Sequence, residues 1–183
     1  MSETAVRWQV CIPPTCYHQM INDDDEWLVH LIINGKQQPD DERAANTQTL
    51  IDSIESPGRF HLEQLPIARR CWLDRGPEIA HGAALRWPVF DALGTPGLPY
   101  NEAPLVGVRS VNMHRLQPRL RTEPHSEPGA ELVYFVTAGS GTIAVGGSEA
   151  AVEEGDFVYA PPGAEAVVTN DSEDWLEWLT VTA

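Results

Sequence analysis

The stretch PHSEPGAELVYFVTAGSGTIAVGGSEAAVEEGDFVYAPPGAEAVVTN, residues 124–170, decides the fold of this chain. It consists of short β-branched and aromatic runs cut by tight turns. Residues 132–137 (LVYFVT) stop at Ala138-Gly139-Ser140-Gly141, residues 142–145 restart the pattern, and Gly146-Gly147 turns it again. A third turn at Glu153-Glu154-Gly155-Asp156 leads into Phe157-Val158-Tyr159-Ala160 and then Pro161-Pro162-Gly163. Glycine supplies the positive φ that such turns need, and β-branched and aromatic side chains suit a pleated, half-buried surface. Runs this short, with turns this close together, predict a small antiparallel barrel or sandwich.

The turn residues also carry a resemblance. Gly155, Pro161, Gly163 and Asn170 fall on the pattern G-x5-P-x-G-x2-H-x3-N, the second motif of the cupin superfamily, with Ala166 at the histidine position. The family's first motif is G-x5-H-x-H-x3-4-E-x6-G. Aligning its second half on residues 134–139 puts His125 on the first histidine, Glu127 on the second, and Leu132 on the glutamate. The resemblance covers roughly residues 109–182. It implies a mainly β fold, a cupin-type antiparallel β-barrel (double-stranded β-helix or jelly roll), with a ligand site inside the barrel.

Members of that family hold a divalent iron, manganese, nickel or zinc ion with two or three imidazoles and a carboxylate. Such ligands supply lone pairs at about 2.0–2.2 Å from several directions. Leu132 and Ala166 cannot ligate anything, and Glu131 should face away because successive strand side chains point to opposite faces. Only His125 and Glu127 are left for a metal. Two protein ligands rarely hold an ion against water, so the ordinary metal centre reads as lost and no cofactor is expected. A bound Fe, Mn, Ni or Zn is the alternative.

Around this core the chain reads as one structural domain. Residues 105–183 form the barrel, and residues 1–104 form an extension that packs on it or on a partner subunit. Residues 6–12 and 27–33 (WLVHLII) read as strands, the latter ending at Asn34-Gly35. Residues 40–56 (DDERAANTQTLIDSIES) read as the one clear helix, with Leu50, Ile51 and Ile54 as its apolar stripe and Pro57-Gly58 as its stop. Residues 76–102 carry four prolines and four glycines and read as irregular, packed coil. By resemblance a homodimer is expected.

Composition excludes several partners. A formal charge of −15 argues against nucleic acid and against an anionic membrane surface. The N-terminus lacks a basic region followed by an apolar run, and no apolar stretch approaches the roughly 20 residues that span a bilayer. Cys11, Cys16 and Cys71 lack paired spacing and read as reduced thiols. A cytoplasmic protein with a small-molecule ligand is the expectation.

His125 and Glu127 stand at i and i+2, which on an extended segment places both on one face. An imidazole beside a carboxylate is an acid–base pair, able to move a proton next to a carbonyl without a metal. Tyr134 shares the face of Leu132 and offers a phenol to a ligand. Arg121 flanks the entry to His125 and is a candidate for binding a carboxylate, as is Arg119. One of His114 and Arg115 must face inward. His18, His30, His61 and His81 lie outside the motifs, and any one of them could complete a metal site by folding over the barrel mouth. Leu132, Val136, Ala166 and Val168 would make the interior apolar, which favours a hydrophobic or aromatic small molecule. Three readings follow: a metal-independent isomerase, cyclase or lyase using His125 and Glu127; a non-catalytic binding or sensing protein; and a dioxygenase-type metalloenzyme with a rebuilt metal site.

Overall fold

The computed structural model describes residues 9–11, 31–33, 68–105 and 107–183. Eleven strands are present among them: β1 (Gln9–Cys11), β2 (Ala68–Arg70), β3 (Glu78–Ala80), β4 (Ala84–Asp91), β5 (Ser110–Leu116), β6 (Leu132–Ala138), β7 (Ser140–Val145), β8 (Ser148–Glu153), β9 (Phe157–Ala160), β10 (Ala166–Thr169) and β11 (Leu176–Thr182). They form a six-stranded sheet in the order β3-β4-β5-β11-β6-β9, a three-stranded sheet β10-β7-β8, and the pair β1-β2. All pairings are antiparallel. The mainly β, cupin-type barrel expected from the sequence is the fold observed.

The larger sheet packs the barrel interior on one face and a second core on the other. Ala84, Leu116, Leu132, Tyr134, Val136, Leu176 and Trp178 point inward and meet Ile143, Val152, Ala166 and Val168 from the smaller sheet. The alternate positions Leu85, Val111, Met113, Phe135 and Leu179 point outward and pack with Ala68, Trp72, Trp87, Val89 and Phe90. Trp72, in a short 3-10 turn (Trp72–Asp74), meets Trp87 edge to face with ring centroids 4.8 Å apart. Each such large side chain, fully buried, contributes about 1.5–3 kcal/mol.

The stretch read as irregular coil at residues 76–102 is instead a hairpin over its first part. β3 and β4 pair as Glu78↔Arg86, Ile79↔Leu85 and Ala80↔Ala84, and β4 continues into the sheet against β5. Proline normally excludes a strand because it lacks the N–H of the ladder. Here the pairing register of β4 shifts between Pro88 and Phe90, and the bulge absorbs the missing donor. Of the strand expected at 27–33, Leu31, Ile32 and Ile33 are exposed and outside any strand, and the other positions lie outside the described residues. The helix expected at 40–56 also lies outside them. Cys11 is a free thiol, and Cys16 lies outside the described residues.

Two residues of the turn pattern fix the barrel locally. Gly139, between β6 and β7, has φ +81, and a Cβ there would strike the backbone carbonyl of Trp175. Asn170, fully buried after β10, donates from Nδ2 to the carbonyls of Leu116 (3.0 Å) and Asp174 (2.8 Å). Its Oδ1 accepts from the Ser172 N–H (3.0 Å) and hydroxyl (2.8 Å). That one amide ties β5 to the turn into β11. Replacing Asn170 by Ala leaves two carbonyls and one N–H unmatched, and about 3 kcal/mol or more of stability should go. Gly139→Ala should cost about 2 kcal/mol or more through strain and overlap. Urea unfolding midpoints measure both, and losses below about 1 kcal/mol would refute these assignments.

Candidate functional site

His125 is placed by a clamp. The chain from Arg121 to His125 runs beside β10, with bridges at Arg121↔Thr169 and His125↔Ala166. His125 and Ala166 exchange both backbone hydrogen bonds (3.0 and 2.7 Å), and Thr122 binds Val168 through backbone and hydroxyl. On the other side the Glu123 N–H donates to the His81 carbonyl at the tip of the β3–β4 hairpin (2.7 Å). His81 itself sits at φ +50, a conformation that a non-glycine residue adopts at a cost. The hairpin thereby lays the His81 ring on the His125 ring, centroids 3.6 Å apart and planes 12° from parallel.

The stacking continues inward. His81 and His114 lie 6.3 Å apart at 15°, and His114 and Trp178 lie 5.1 Å apart at 7°. Trp178, His114, His81 and His125 thus form a column of near-parallel rings from the core toward the end of the barrel. Of the pair His114 and Arg115, His114 faces inward, its Nε2 3.0 Å from the Thr180 hydroxyl. Arg115 faces outward, paired with Glu177 at 2.8 Å and lying over the Trp175 ring.

The tautomer of His125 follows from its neighbours. Nδ1 lies 3.1 Å from the Glu123 carbonyl oxygen, which can only accept, so Nδ1 carries the proton. In the neutral ring Nε2 is then a lone pair, and it lies 3.0 Å from the Tyr134 hydroxyl, which donates to it. Burial lowers the pKa of all three histidines by penalising their charged forms. His81 falls to about 4, pushed further by His125 and Arg86. At His125 the burial effect is partly offset by the Glu123 carbonyl and the Glu127 charge. Burial, and then the Glu127 charge, raise the Tyr134 hydroxyl well above its ordinary value, so it stays a phenol. At neutral pH the column is uncharged.

The residues singled out from the sequence separate into two groups. Tyr134, Leu132, Ala166 and Val168 are buried in the barrel core beside the half-buried His125. Glu127 and Arg121 are exposed, as is Arg119, which pairs with Glu173. The ring of His125 is therefore oriented by a backbone carbonyl and a phenol rather than by Glu127. Glu127 acts on that ring through its charge, which favours the imidazolium. The Glu127 carbonyl accepts from Ala130 and Gly163 as the chain turns through Gly129 (φ +71). The sequence left His81 as one of four histidines that could fold over the barrel mouth, without the hairpin that lays it on His125.

This donor set does not fit a metal centre of the family type. Both nitrogens of His125 are engaged, and imidazole lone pairs lie in the ring plane, so face-to-face rings cannot aim them at one ion. Among the described residues no group of three or more histidine, cysteine, aspartate or glutamate side chains is arranged to hold one. Also among them, no helix is long and apolar enough to cross a membrane.

Residues 112–182 match the family model of the cupin domain. No curated protein matches the chain. Similar solved structures include a protein from Thermus thermophilus, at 25% identity over 61% of this chain and 92% of that one, with a TM-score of 0.46. A cupin 2 conserved barrel domain protein from Salinispora arenicola is 14% identical over 58% of this chain and 79% of its own, with a TM-score of 0.45. A predicted oxalate decarboxylase from Thermotoga maritima is 18% identical over 58% of this chain and 90% of its own, with a TM-score of 0.46. With the family's domain matched over residues 112–182, from β5 to β11, and the strands of that segment forming the barrel, this part of the chain is a cupin domain.

Proposed function

We propose that this protein is a metal-independent enzyme that moves a proton on an apolar or aromatic carbonyl compound held in the barrel, as an isomerase, cyclase or lyase. The observation that carries this reading is the 3.0 Å hydrogen bond between His125 Nε2 and the Tyr134 hydroxyl, in an interior otherwise lined by Leu132, Val136, Ala166 and Val168. A neutral imidazole behind a buried phenol is a proton relay. The Tyr134 oxygen takes a proton from the carbon beside the substrate carbonyl as its own proton passes to His125 Nε2. The electron pair of the broken C–H bond moves onto the carbonyl oxygen as an enolate. The imidazolium formed keeps its Nδ1–H bond to Glu123 and is favoured by the nearby Glu127 carboxylate. Reversal of the relay returns the proton to another atom of the substrate.

Full burial of Tyr134 favours a second reading, a barrel that binds such a molecule without turning it over. Proton exchange separates the two. Aryl ketones incubated with the full chain in D2O should gain deuterium beside the carbonyl, followed by NMR. Tyr134→Phe and His125→Gln should each slow that exchange about a hundredfold or more. Exchange that survives both substitutions, or that a chelator abolishes, overturns the proposal. Ligand binding without exchange selects the second reading.

The pH profile tests the state of the base. His125 acts only when neutral, and its pKa lies below the ordinary histidine value. Exchange should therefore hold level as pH falls through about 6.5 and decline only below it. An acid limb at or above that value would contradict the relay.

A further inference from the structure

Four side chains stand abreast on the inner face of the larger sheet. The register runs Glu78↔Arg86 from β3 to β4, Arg86↔His114 from β4 to β5, and His114↔Trp178 from β5 to β11. Arg86, His114 and Trp178 share that face with Ala84, Leu116 and Leu176, two residues from each along its strand. The Arg86 charge reaches inward as well, since it depresses the protonation of both His81 and His114. One nitrogen of each of the three is buried without a hydrogen-bond partner among the described residues: Arg86 Nε, His114 Nδ1 and Trp178 Nε1.

Buried polar groups are almost always matched, and leaving one unmatched is costly. Three on adjacent strands of one face call for a common explanation. The guanidinium and indole nitrogens can only donate, so the missing partner is an acceptor. His114 can join them, because the Thr180 hydroxyl 3.0 Å from Nε2 can donate there and leave the proton on Nδ1. Glu78 does not fill the place. Its carboxylate takes the Arg86 Nη2 at 2.6 Å and is itself more than half exposed. A water accepts at most two hydrogen bonds, whereas a carboxylate offers about four lone-pair sites and suits an arginine.

We propose that Arg86, His114 and Trp178 form a carboxylate-binding subsite inside the barrel, and that the ligand is an apolar or aromatic carboxylic acid. This deepens the reading given above and rests on it for the ligand's place in the barrel. The carboxylate occupies the Arg86–Trp178 row, and the apolar body lies toward Leu132, Tyr134 and Val136, which follow on β6. Arg121 and Arg119, both exposed, are not part of the subsite.

Benzoate and phenylacetate are the probes, with benzyl alcohol as the control of similar size. Calorimetric titration of the full chain should show binding of both acids at least tenfold tighter than of the alcohol. Arg86→Met and Trp178→Phe should each weaken the acids about tenfold and leave the alcohol unchanged; thermal melting checks that both variants fold. In the unaltered chain, benzoate should shift the indole N–H resonance of Trp178 downfield, a readout that needs no folded variant for its interpretation beyond assignment. Equal binding of acid and alcohol, or an unmoved indole resonance at saturation, would show that water matches these nitrogens and would overturn the subsite. Deuterium exchange on aryl ketones with no effect of Arg86→Met on benzoate affinity leaves the relay standing and the subsite refuted. Selective benzoate binding with no exchange on any carbonyl compound does the reverse.

Discussion

The six-stranded sheet has no free face at its centre. β5 and β11 pack on one side against the smaller sheet, and on the other Val111, Met113 and Leu179 pack against Ala68, Trp72 and Trp87, so only the Arg115–Glu177 end of the outer face reaches solvent. An antiparallel sheet with one wet face can park its polar residues in water. The inner face has no such outlet. His114 is 3% exposed and Thr180 5%, and they satisfy each other. Among the described residues, Arg86 Nε, His114 Nδ1 and Trp178 Nε1 stay without a hydrogen-bond partner on that face.

Charge is sorted by the same constraint. The chain carries 27 acidic residues, yet among the described residues none of the buried ones is acidic. Ion pairs such as Arg115–Glu177 and Arg119–Glu173 lie outside the interior, where solvent screens them and each contributes little. Inside, three imidazoles stay neutral because burial penalises their cations more than any neighbour rewards them. A neutral imidazole with one nitrogen fixed as donor is a base of defined direction. The Glu123 carbonyl sets that direction at His125, and the backbone of a clamped segment sets the carbonyl.

Much of the barrel was legible in the sequence because turns are local. The strand expected at 132–137 is Leu132–Ala138, that at 142–145 is Ser140–Val145, and Phe157–Ala160 falls where it was read. Gly146 and Gly147 have φ +57 and +85, the pair of left-handed residues that a two-residue hairpin demands. The β3–β4 hairpin was not legible, since its strands lie in a proline- and glycine-rich stretch and one proline sits inside β4 at a bulge. The site was half legible. Tyr134, Leu132, Ala166 and Val168 follow from strand alternation. The stacking of His81 on His125 joins residues 44 positions apart through an unforeseen hairpin, and spacing along the chain carries no trace of it.

The strand order has a consequence for how the molecule is assembled. β5 and β6 never touch as a ladder; each pairs with β11, the last strand in sequence. Ser110 and Thr182 meet across 72 residues, His114 and Thr180 across 66. Until residues 176–182 have left the ribosome, the large sheet exists only as two halves with bare inner edges, β4–β5 and β6–β9. The keystone arrives last. Such long-range closure makes for slow folding, and the half-sheets waiting for it present the unpaired edges on which chains aggregate.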